Sequence, residues 1–96
     1  MAPHVNRLRR DDLYQYLLES LSPVINNIVE KMEQNNLLSQ QVHDSIIRQP
    51  DPEDSTRMLV AVLETKPQAI YDGFVQTLMT LQYDDIVARM NDDNAH

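Results

Sequence analysis

The side chains able to do chemistry in this chain are carboxylates, a smaller set of cations, three histidines and scattered hydroxyls. His4, His43 and His96 are dispersed, two of them near the chain ends, and show no metal-ligand spacing. Asp51-Pro52-Glu53-Asp54 and Asn91-Asp92-Asp93-Asn94 are acidic clusters. A calcium loop needs alternating ligands, a central glycine and a distal glutamate, and neither cluster has that pattern. Helix capping and a solvated tail account for them. Gly73 is the single glycine, so no glycine-rich loop exists to cradle a phosphate. Cysteine is absent, which removes disulfides, thiolate zinc sites and cysteine nucleophiles. No motif pairs serine with histidine, and no two carboxylates are marked for split acid and base roles. No catalytic, metal-binding or cofactor-binding residue is assigned, and a noncatalytic protein without cofactors is expected.

What remains is charge. The net charge is −7; Arg7, Arg9 and Arg10 are the only charges in the first ten residues, so the rest carries −10. A mostly acidic body argues against nucleic-acid binding, which needs a basic footprint, and leaves a charged protein partner open. Arg7, Arg9 and Arg10 head the first helical segment and Arg57 lies on the fourth, while Glu30 and Glu33 lie on the second, Asp44 on the third, and Asp72, Asp84 and Asp85 on the fifth and sixth. Opposite patches on one small domain permit head-to-tail association, which extends into an oligomer or filament if it does not close.

These charges must be carried by helices. In 96 residues one glycine is too few for several tight hairpins. Pro23, Pro50, Pro52 and Pro67 instead punctuate apolar-periodic segments at the spacing of short helices. Leu13, Leu17 and Leu21 repeat at i, i+4 in a first helix. Asp11 and Asp12 favour the start of its main section, after an earlier turn around Leu8. Ser22-Pro23 predicts an N-cap and first-position proline for a second helix bearing Val24, Ile25, Ile28, Val29 and Met32, stopped by Gln34-Asn35-Asn36. Ser39 predicts the cap of a third helix with Val42, Ile46 and Ile47, ending before Pro50. Asp51-Pro52 opens a fourth helix with Met58, Leu59, Val62 and Leu63. Pro67 opens a fifth with Ile70, Phe74, Leu78 and Leu81, broken at Gln82. Ile86, Val87 and Met90 mark a sixth. Tyr14 and Tyr71 fall off the main stripes and are expected at the surface.

The short connections predict a compact antiparallel bundle of six helices, with one domain over residues 1–92 and a polar tail over 93–96. No apolar run approaches the roughly 20 residues of a membrane span, and the first ten residues lack the apolar stretch typical of a signal peptide, so a cytoplasmic protein is expected. Met32, Met58 and Met90 lie on the apolar stripes as core fillers. The alternative is a helical regulatory domain that binds an amphipathic peptide in a methionine-lined groove. A third possibility is a small nucleic-acid binder using Arg7, Arg9 and Arg10.

The ordered segments resemble a caspase recruitment domain, or CARD, of the death-fold superfamily. His4-Val5-Asn6 followed by Arg10 and Leu13 resembles the first-helix pattern of inflammasome-type CARDs. Pro23-Val24-Ile25 with Ile28 is similar to the opening of the second helix, and Leu37-Leu38-Ser39-Gln40 to the entry into the third. Arg48-Gln49-Pro50 with Arg57-Met58-Leu59 resembles the passage into the fourth. Lys66-Pro67-Gln68-Ala69 with Phe74 and Leu78 resembles the fifth, although the family's glycine after the lysine is missing here. The resemblance implies an all-α, six-helix Greek-key bundle of the death fold, most like adaptor and sensor CARDs of apoptosome or inflammasome type. It also implies homotypic binding to a CARD-containing procaspase, adaptor or sensor. In that family a basic patch on helices 1 and 4 meets an acidic patch on helices 2 and 3. By position Glu30 matches an acidic contact and Asp44 lies near a second, while Arg10 and Arg57 fall near the basic patch, diluted by Asp11, Asp12, Glu53 and Asp54; the resemblance thus implies an acidic patch of Glu30, Glu33 and Asp44 and a basic patch of Arg9, Arg10 and Arg57. The domain is therefore expected mainly to present acid to a basic partner.

Overall fold

The computed structural model describes residues 11–94. Among them are six α-helices and no strand: α1 Asp11–Leu21, α2 Ile25–Gln34, α3 Gln40–Ile47, α4 Pro52–Thr65, α5 Gln68–Thr80 and α6 Asp84–Asn94. A 3-10 turn, Ser22–Val24, joins α1 to α2. The expected turn around Leu8 lies outside the described residues. The helices form an antiparallel bundle in which α1 packs on α4 and α6, while α2 packs on α3, α4 and α5.

The periodic residues close the core. Leu13, Leu17 and Leu21 of α1 meet Ile25, Ile28, Val29 and Met32 of α2, with Ile46, Leu59, Leu63, Phe74, Leu78 and Met90 completing one buried cluster. Full burial of each such aliphatic side chain stabilises by about 1.5–3 kcal/mol, so this single cluster outweighs any surface ion pair.

Helix ends follow local chemistry. Ser39 has extended backbone, and its Oγ accepts the Val42 N–H at 3.2 Å, as an N-cap should. Both α2 and α5 stop by bringing a residue into the left-handed region, Asn36 at φ 63° and Gln82 at φ 68°. Behind them the N–H of Leu37 donates to the Met32 carbonyl and that of Tyr83 to the Leu78 carbonyl, each at 2.8 Å. With Asn36 N–H on Glu33 and Gln82 N–H on Met79, both at 3.0 Å, each end is a Schellman motif.

Three expectations need correction. Ser22 is not an N-cap: Leu21 keeps helical angles, the chain runs on into the 3-10 turn, and α2 starts only at Ile25. The Ser22 hydroxyl donates back to the Leu18 carbonyl and lies 3.2 Å from Thr56 Oγ1, tying the end of α1 to α4. Asp51 has the extended N-cap backbone before Pro52, but its side chain makes no capping hydrogen bond. Tyr71 is buried, at 7% exposure, with its ring 6.3 Å from that of Phe74. Because α5 packs on both α2 and α6, its buried arc is wider than one stripe and takes in Tyr71, Phe74 and Leu78 at i, i+3, i+7.

Candidate interaction surface

α2 buries Ile25, Ile28, Val29 and Met32, which turns its other side to solvent. Glu30 is exposed there beside Asn26, Asn27 and Gln34, and Glu33, one turn on, is half-buried. α3 is set against α2 by the Schellman turn at Asn36 and the Ser39 cap, and carries Asp44. Asp44 Oδ1 lies 3.0 Å from His43 Nδ1, a pairing of sequence neighbours that the sequence reading did not single out. With Gln40, Gln41, Ser45 and Arg48, Asp44 lines an open depression of about 530 Å³. Glu30, Glu33 and Asp44 thus sit on adjoining helices, and Glu30 and Glu33 make no ion pair among the described residues.

The predicted basic patch is different. Arg9 and Arg10 lie outside the described residues. Arg57 is on the outer side of α4, where Nη1 is 2.9 Å from Asp54 Oδ1 and Nη2 is 3.5 Å from Glu53 Oε1. The i−3 and i−4 spacing of these acids was the signal for that pairing.

A third charged region was not grouped from sequence. Glu19 of α1 and Asp84 and Asp85 of α6 line, with Tyr16 and Tyr83, a depression of about 530 Å³. The Arg89 guanidinium stacks over Tyr16, 5.0 Å from the ring centroid. Residues 19 and 84 are far apart in sequence and meet only because α1 packs on α6.

Among the described residues no cluster of three or more histidine or acidic side chains is arranged to hold a metal ion. No described helix is long and apolar enough to cross a membrane. Met32 and Met90 are enclosed in the core, and the Met58 sulfur accepts from Gln49 Nε2 at 3.3 Å, so these three methionines do not line one open groove.

The described residues form a bundle of six helices around one buried apolar cluster, with charged side chains on its outer faces. The caspase recruitment domain model matches residues 9–93, and the chain belongs to the CARD family. CARDs are homotypic protein-interaction domains and typically noncatalytic. No curated protein sequence and no solved structure matched the chain.

Proposed function

We propose that this CARD recruits a second CARD-containing protein, a procaspase, adaptor or sensor of apoptotic or innate-immune signalling, in the cytoplasm. The face formed by Glu30, Glu33 and Asp44 meets a basic patch on that partner. The observation that carries this reading is the contrast between the two candidate patches. Glu30 and Glu33 make no ion pair among the described residues, whereas Arg57 is already paired within its own helix. Exposed carboxylates steer a basic partner and set its orientation, and packing around them supplies the rest of the affinity.

The test is binding of E30K/E33K to a CARD with a basic surface, alongside wild type. Weakened binding with unchanged helical content supports the reading, and unchanged binding removes it. Wild-type binding should also weaken markedly from low to high salt, because exposed charge pairs are screened.

A further inference from the structure

The chain has five methionines and no cysteine, so every sulfur in it is a thioether. Peroxide attack on this chain's sulfur therefore falls on methionine, and access of peroxide to each sulfur ranks the sites. Met32 and Met90 are 0% and 1% exposed and belong to the buried cluster. Peroxide reaches them only when the bundle opens. Met58 is partly buried, and its sulfur already accepts from Gln49 Nε2 at 3.3 Å, which engages the electron pair that oxidation needs. Met79 is different. It lies in the last turn of α5, Gln68–Thr80, and is the one large apolar side chain exposed among the described residues, at 47%. Gln76 and Thr80 are exposed beside it. Asp72 is the only charged side chain from Pro67 to Tyr83, and it accepts from Gln68 Nε2 at 2.8 Å.

We propose that Met79 is a reversible oxidation site, at which a peroxide marks the domain without unfolding it. The sulfur lone pair takes one peroxide oxygen, the O–O bond breaks and water leaves; the thioether becomes a sulfoxide and the peroxide is reduced. A methionine sulfoxide reductase supplied with a dithiol reverses the step, giving thioether, disulfide and water. The sulfoxide is polar, and at Met79 it meets solvent rather than the core, so the packing of α5 on α2 and α6 is kept. What changes is the surface: the exposed apolar spot on α5 becomes a hydrogen-bond acceptor. The inference does not rest on the proposed acidic face of α2 and α3.

The test is a time course with hydrogen peroxide on the whole chain, with tandem mass spectrometry placing each added oxygen on a residue. Met1 lies outside the described residues and is scored separately. In buffer, Met79 should oxidise at least about tenfold faster than Met32 or Met90, with Met58 between. In urea above the unfolding midpoint these rates should converge, which shows that the fold and not the local sequence sets the order. The protein oxidised at Met79 should keep its helical content by circular dichroism, and reductase with dithiothreitol should remove the oxygen. Equal native rates at Met79 and a core methionine overturn the inference, as does faster oxidation of Met58. Loss of helical content on oxidation of Met79, measured against an identically treated Met79→Leu protein, overturns it too, and so does a Met79 sulfoxide that the reductase leaves in place.

Discussion

Gly73, the only glycine, sits in α5 with ordinary helical backbone and no positive φ, so conformational need does not explain it. Space does. A Cβ at position 73 would lie 2.5 and 2.7 Å from the two Cδ atoms of Leu37 and 3.1 Å from its Cγ. Leu37 has little backbone freedom to retreat, since its N–H is bonded to the Met32 carbonyl and it follows the left-handed Asn36. Gly73→Ala therefore sets two effects against each other. Alanine gains about 0.8–1.0 kcal/mol of helix propensity. Overpacking costs about 1–3 kcal/mol, and the rotatable Leu37 tip places this case near the middle, at about 2 kcal/mol. The net expectation is a loss of about 1 kcal/mol, or about 4–8 °C in Tm for a domain of this size. In a Leu37→Ala background the clash is gone and the same substitution should stabilise by about 0.8–1.0 kcal/mol. The coupling energy of the cycle is then about 2 kcal/mol, well above the roughly 0.3–0.5 kcal/mol seen for independent sites. Urea unfolding of the four proteins, followed by circular dichroism, measures it. A stabilised G73A in the wild-type background, or additive effects, refutes the account of Gly73 as a packing notch for Leu37.

Gln82→Gly should raise stability by about 1 kcal/mol, because it relieves a side chain from the left-handed region at the end of α5; a lower urea midpoint would contradict that. Ser39→Ala removes the cap bond to the Val42 N–H and should cost about 1 kcal/mol, read from the same unfolding curves. Thr56→Val keeps shape but removes a buried hydroxyl that donates to the Pro52 carbonyl at 3.0 Å and lies beside Ser22, and should cost about 1 kcal/mol in thermal unfolding. E30K/E33K should unfold within about 0.5 kcal/mol of wild type, because surface charges contribute little to stability, so any binding defect is a defect of the surface.

The local features were legible in the sequence. Helix spacing of Leu13, Leu17 and Leu21, the Ser39 cap, the stop at Asn36 and the break at Gln82 all depend on residues within one or two turns of each other, where backbone sterics and hydrogen bonding decide the outcome. The acidic character of α2 could be read the same way, as could the i−3 and i−4 pairing that ties up Arg57. Where a local rule misled, at Ser22 and Tyr71, a neighbouring helix had overridden it: α4 supplied Thr56 beside the Ser22 hydroxyl, and packing on two sides widened the buried arc of α5. Other features come from packing alone. The meeting of Glu19 with Asp84 and Asp85 and the fit of Leu37 over Gly73 each join residues far apart in the sequence. Periodicity states which side of a helix is apolar. Only the packing of whole helices, set by their side-chain shapes and connections, decides which two polar sides end up adjacent.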